Sequence, residues 1–211
     1  MNREVIELFP TCIYKTKLPK SFIKYFNSLD KEEHYPLDGD NFGSRSINSY
    51  VLNNPQYLEL NNFILDHCFY YGHEVLGFHP YKFRITQSWI SYKKPKENHH
   101  AHTHPNSLIS GVIFYGKSDN NSSSLIFQKP VPTINSFMLL PGNRRDKSTI
   151  GNSNEYRVPF TPGVMYLFPS YLQHTVSINE TNYVRKSLAF NVMTKDKIGE
   201  EDTLTEFKFI N

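Results

Sequence analysis

The chain has 211 residues, of which 23 are basic and 20 acidic, and its formal charge of +3 is spread over singly placed side chains. That distribution excludes the dense basic face of a nucleic-acid binder, and the lack of eighteen consecutive apolar residues excludes a transmembrane helix. The length suits one substantial core, so a single domain over residues 1–211 is expected, with a strand and helical region to about residue 78 packed on a core from about residue 79.

Cys12 and Cys68 lie in apolar surroundings and form no CxxC, which points to reduced core thiols. The opening Met1 to Val5 has neither the apolar run nor the cleavage site of a secretory leader, so a cytoplasmic protein is expected. Arg144 and Arg145, followed at once by Asp146, read as a solvated loop.

In chain order, Val5 to Leu18 reads as an entry strand that Pro10 confines to a sheet edge. Lys20 to Leu29 reads as a short helix with Phe22, Tyr25 and Phe26 on one side, and the polar run Asp30 to Tyr50 as loop. Asn54 and Pro55 suit a helix start, and Leu60, Ile64, Cys68, Tyr71 and Val75 recur at helical spacing, with Gly72 or Gly77 as terminators. From Tyr81 the period changes to two: Tyr81, Phe83 and Ile85 alternate with polar residues toward Trp89. Further strands are expected at the histidine stretch, Leu108 to Tyr115, Ser124 to Phe127, Ser136 to Leu140, Val164 to Phe168, Thr175 to Ile178, Arg185 to Met193 and Thr203 to Phe209. Aromatic residues make up 15 % of the chain, in keeping with strands. Many short strands without alternating helices predict a mainly β fold, an antiparallel sandwich or barrel with flanking helices.

The chemistry concentrates in His99-His100-Ala101-His102-Thr103-His104. On a regular strand His100, His102 and His104 would share one face. His174, the one histidine in the second half of the chain, is the candidate third ligand. Two ligands on one strand and one on a later strand occupy a triangular face and leave the opposite face open, as in non-haem iron oxygenases; imidazole alone would also suit zinc, copper or nickel. On the strand from Arg185, Arg185, Ser187, Ala189 and Asn191 share a face, and a cavity-facing arginine fork suits an organic-acid carboxylate.

Leu8 to Thr11, Gln87 to Trp89, His102 to Tyr115, Pro162 to His174 and Arg185 to Asn191 together resemble, in order, the motifs of a 2-oxoglutarate and iron(II)-dependent oxygenase family within the prolyl-hydroxylase-like superfamily. The resemblance implies a double-stranded β-helix, the cupin-like jelly roll. By position it implies iron(II) on His102, His104 and His174, with His104 where the superfamily has an aspartate and His100 outside the ligand set. It implies 2-oxoglutarate held by Arg185 and Ser187, with Ser110, Tyr115 and Asn191 lining the pocket. Oxygen would be the second cosubstrate, and an unidentified substrate would be hydroxylated while 2-oxoglutarate becomes succinate. The loops Gly142 to Tyr156 and Asp30 to Tyr50 are candidate lids, and exposed edge strands would permit a homodimer. Two other readings compete: a three-histidine cupin-like metalloenzyme that does not use 2-oxoglutarate, and a non-catalytic jelly-roll binding module.

Overall fold

A computed structural model describes residues 9–39, 41–119, 121–129, 153–195 and 197–209, together with Glu4, Ile6 and Thr149. The expected strand Ser136 to Leu140, the pair Arg144 and Arg145, most of the Gly142 to Tyr156 loop and parts of the Val5 to Leu18 segment lie outside those residues.

Strand β1 (Tyr14–Lys17) is followed by a single 3-10 turn and helix α1 (Ile23–Leu29), then by β2 (His34–Pro36) and β3 (Ser44–Ser46). Helix α2 (Leu58–Tyr70) is entered through a 3-10 turn, Pro55–Tyr57, that Asn54 caps: the Asn54 side chain accepts from the Gln56 amide at 3.1 Å, satisfying a donor that the first turn leaves free. A π turn at Tyr71–Val75 extends the helix, and Gly77, at φ +69°, ends it. The remaining strands are β4 (Phe83–Lys93), β5 (His99–His102), β6 (Ile109–Tyr115), β7 (Leu125–Gln128), β8 (Glu155–Val158), β9 (Val164–Pro169), β10 (His174–Val176), β11 (Arg185–Thr194), β12 (Lys197–Ile198) and β13 (Phe207–Lys208).

The strands make a seven-stranded sheet in the order β1-β9-β6-β11-β4-β3-β2, a four-stranded sheet in the order β5-β10-β7-β8, and the small β12-β13 pair. All strand pairs are antiparallel. β1 is an edge strand, as Pro10 suggested. The segment read as loop between Asp30 and Tyr50 contains β2 and β3, three-residue strands too short to set up an alternating pattern. Only Phe207–Lys208 of the expected Thr203 to Phe209 strand is extended in a sheet. β8, missed in the sequence, carries exposed Glu155, Tyr156 and Arg157 and buries only Val158, so no apolar face marks it.

Two cores flank the large sheet. On one face, Ile90, Leu188, Phe190, Ile113 and Leu167 pack against Tyr57, Leu60, Ile64, Cys68 and Tyr71 of the helical region. On the other, Val112, Phe114, Tyr166 and Phe168 meet Leu125, Phe127 and Leu172 of the second layer. Strand alternation separates the two sets, odd positions of β6 facing the helices and even positions facing the second sheet. This is the double-stranded β-helix, two antiparallel sheets facing each other with helices outside. Among the described residues, no helix is long and apolar enough to cross a membrane.

Candidate metal and cosubstrate site

The space between the sheets narrows to a cavity at the end where β5 and β10 pair. The large sheet contributes Trp89, Ser91 and Lys93 from β4, Arg185, Ser187 and Ala189 from β11, and Ser110 and Val112 from β6. His99, His102, His104 and His174 enter from the opposite side. A wider hollow bounded by Ser28 and Gln56 is open to solvent and contains neither histidine nor arginine.

His102, His104 and His174 each offer a ring nitrogen within 4.8 Å of the others. The His104 and His174 Nε2 atoms stand 3.2 Å apart. Two nitrogens each about 2.1 Å from one ion and roughly at right angles are about 3 Å apart, so the spacing is that of neighbouring ligands. His102 and His174 face each other across the ladder as Cα partners. The Nδ1–H of His102 donates to the His100 carbonyl at 2.9 Å and that of His174 to the Leu172 carbonyl at 3.0 Å. A carbonyl only accepts, so each Nε2 keeps its lone pair, the orientation a metal-binding imidazole needs. His104 lies just beyond β5, its amide donating to the Ser170 carbonyl at 3.0 Å. Its ring stacks on Trp89 at 5.8 Å.

Burial keeps these rings neutral. His174 is pushed down to about 3 by burial and then by His102, and His104 to about 4 by the same causes. His102 is lowered mainly by burial. Neutral imidazole is the ligating form, so the donor set fits a divalent ion. Among the described residues the two groups of three or more metal-capable side chains both consist of histidine alone, the second being His99, His100 and His102.

Strand alternation misplaces one residue here. His174 pairs with His102 but Val176 pairs with His99, so β5 spends three residues where β10 spends two. This bulge reverses the facing of everything before it, turning His99 into the cavity and leaving His100 exposed with its ring against Phe42, 4.9 Å away. His99 is therefore a pocket residue that regular alternation hides. Its Nδ1 is buried without a partner, and burial, then Lys93, push its pKa down to about 2.

Arg185 is 2 % exposed. Its guanidinium lies over the Phe114 and Phe160 rings, 4.9 and 5.0 Å from their centroids. Its Nε has no hydrogen-bond partner. Among the described residues, no carboxylate lies within ion-pair distance of it. Burial works against the charge and lowers the pKa to about 9, leaving a charged fork at neutral pH. A buried cation without a partner is costly, and a bound carboxylate is what would satisfy it.

Ser187 lines the same cavity and is buried. Ser110 also lines it, its hydroxyl donating to Asn191 Oδ1 at 3.0 Å and bonding Ser170 Oγ at 2.8 Å. Asn191 is buried behind Ser110 and reaches His104, raising its pKa against the effect of burial. Tyr115 is not brought to the pocket. It occupies an odd position of β6, opposite in facing to Ser110, and stacks on Phe26 at 5.0 Å in the helix-side core. Its distance from Ser110, five residues along one strand, already carried that parity. Lys93 is another pocket residue that sequence reasoning passed over; nothing distinguishes it there from its exposed neighbour Lys94.

A jelly roll with an open three-nitrogen cluster and a buried carboxylate-seeking arginine beside it defines the architecture of a non-haem metal oxygenase that uses an organic-acid cosubstrate. Residues 87–191, from the middle of β4 to β11, match the family model described as "Putative 2OG-Fe(II) oxygenase", and the chain belongs to that family. It is a 2-oxoglutarate-dependent iron(II) oxygenase, with iron(II) and 2-oxoglutarate as its metal and cosubstrate. Solved structures share the fold at low identity. A prolyl-4-hydroxylase from Pseudomonas putida aligns with 13 % identity and a TM-score of 0.58, covering 88 % of this chain and 94 % of its own. HygX from Streptomyces hygroscopicus, solved with nickel and 2-oxoglutarate, aligns with 12 % identity and a TM-score of 0.60 over 87 % and 83 % of the two chains. The epimerase SnoN of nogalamycin biosynthesis aligns with 11 % identity and a TM-score of 0.63 over 88 % and 80 %. No curated protein matches the sequence.

Proposed function

We propose that the protein is a hydroxylase in which His102, His104 and His174 hold iron(II), while Arg185 and Ser187 bind the far carboxylate of 2-oxoglutarate. Bound iron(II) supplies the oxidative chemistry, consuming oxygen and coupling substrate hydroxylation to decarboxylation of 2-oxoglutarate to succinate. The protein's own residues do the rest. The His100 and Leu172 carbonyls orient the His102 and His174 rings, and Ser110 and Asn191 brace the His104 side of the cavity. Phe114, Phe160 and Phe168 exclude water from Arg185 and His174, strengthening every charge interaction in the cavity. Orientation of the cosubstrate by a rigid two-point anchor lowers the entropic barrier before chemistry begins.

The observation that carries this reading is the unpaired, buried Arg185 beside the three-nitrogen cluster. The segment before residue 79 acts in the same domain as the support of the large sheet, and the 41–43 stretch, with Phe42 against His99 and His100, borders the cavity mouth. The test is succinate formation from 2-oxoglutarate by iron-loaded protein, with metal content measured in parallel. His174→Ala is expected to lose stoichiometric iron, and Arg185→Ala to lose 2-oxoglutarate binding while retaining iron. Retention of 2-oxoglutarate binding by Arg185→Ala would refute the anchor.

A further inference from the structure

Lys93 ends β4 directly opposite Arg185, the two being Cα partners in the β4–β11 ladder. Side chains of directly opposed residues lie on one face of a sheet, and both line the cavity. Lys93 is 1 % exposed. Among the described residues it has no ion-pair partner, and its Nζ makes one hydrogen bond, donating to the Phe42 carbonyl at 2.6 Å. Glu97 acts on it only through space, its Oε2 being engaged by the Lys94 amide at 2.6 Å. Gly43, at φ +76°, makes room for it: a Cβ there would stand 2.8 Å from Lys93 Cδ and 2.9 Å from Nζ.

Two buried cations side by side repel each other, and each costs several kcal/mol to desolvate. Among the described residues neither cation has an ion-pair partner, and Glu97 acts on Lys93 through space alone, so an anion entering from the cavity is what would offset both. The ammonium keeps two N–H donors beyond the one given to Phe42. 2-Oxoglutarate carries two carboxylates, and the metal end accounts for only one of them.

We infer that Lys93 is a second cationic binding residue of the cosubstrate pocket, sharing with Arg185 the far carboxylate of 2-oxoglutarate and making the pocket selective for dianionic over monoanionic 2-oxo acids. This rests on the cosubstrate reading above. Lys93 touches the cosubstrate and not the reacting carbon, so its loss falls on binding.

The test is calorimetric titration of protein loaded with manganese(II) under anoxic conditions, using 2-oxoglutarate and 2-oxobutyrate, which has the same metal-binding end and no far carboxylate. Lys93→Met removes the charge; Lys93→Gln removes it while keeping a donor for Phe42, and decides the question alone if the methionine unsettles the turn. Loss of a charge-assisted hydrogen bond should weaken 2-oxoglutarate binding about tenfold or more and leave 2-oxobutyrate within about twofold. An equal loss for both acids, which a merely structural Lys93 would produce, overturns the inference, as does no loss for either. Failure of the unaltered protein to bind 2-oxoglutarate overturns the cosubstrate reading and this inference with it; binding that both variants preserve overturns Lys93 alone.

Discussion

In the proposed site, with imidazole at residue 104, the three donors are neutral, so a bound ion would keep its full charge in a cavity that already holds Arg185 and Lys93. Such a site binds metal through geometry more than charge. Its affinity therefore depends on all three rings being aimed together. Replacing His104 with alanine should cost at least the 10–100-fold in metal affinity that loss of an outer orienting partner costs elsewhere, whereas His100→Ala should leave affinity within about twofold, since only the backbone carbonyl of His100 serves the site. Competition against a fluorescent chelator measures both, and equal losses would mean that His104 is not a ligand. At the anchor, Arg185→Lys keeps the charge and loses the planar fork. We expect 2-oxoglutarate binding to weaken about tenfold, read as a raised dissociation constant with metal stoichiometry unchanged.

At the level of the elements, the packing of β6 against β11 and β9 is tight enough to exclude a methyl group. A Cβ on Gly111 would collide with the Phe190 ring and stand 2.8 Å from Leu167 Cδ2. Gly111→Ala should destabilise the fold by about 2 kcal/mol through overpacking, measured as a lowered urea midpoint with an unchanged slope. What the sequence disclosed follows the same division between regular and irregular structure. β11 is long enough for alternation to put Arg185 and Ser187 on one cavity-facing side before any coordinates, whereas Ser110 was placed there only by the family resemblance. α2 was legible from the Asn54 cap and its apolar spacing. Regularity failed at the β5 bulge, because one extra residue between His99 and His102 reverses parity and no residue type signals it. His99 was thus missed and His100 given its place. Tyr115 is the opposite case, an aromatic residue assigned to the pocket by likeness although the parity of its own strand sends it to the helix-side core. Lys93 could not be read because its burial depends on Gly43 and Phe42, about fifty residues earlier.

For the whole molecule, the buried site sets the direction of pH dependence. In metal-free protein the folded-state pKa values of His174 and His104 are about 3 and 4, below the unfolded value of about 6.5. The unfolded chain therefore binds protons that the folded chain refuses, and stability falls as pH drops from about 6.5 toward 4, by about 1.4 kcal/mol per pH unit for each histidine that stays neutral. His67, lowered by burial, adds to the same trend. Lys93 acts at the other end. Its folded pKa is lowered to about 8, first by burial and then by Arg185, against an unfolded value of 10.5. The charge it carries below pH 8 is a burden on the empty fold, and stability should rise between about pH 8 and 10.5 as folded Lys93 becomes neutral. A bound dianion reverses that preference, because it favours the charged ammonium. Urea unfolding across this range should show empty protein gaining stability above pH 8 and 2-oxoglutarate-loaded protein losing its ligand-dependent increment over the same interval. Lys93→Met should abolish the gain that sets in between about pH 8 and 9, below the range where Arg185, lowered to about 9, adds its own, and should retain the acid decline, whereas His174→Ala should lessen the acid decline by one histidine's share and retain the alkaline gain. If the two variants do not separate the limbs in this way, the histidine cluster and the cation pair are not the groups that tie the fold's stability to pH.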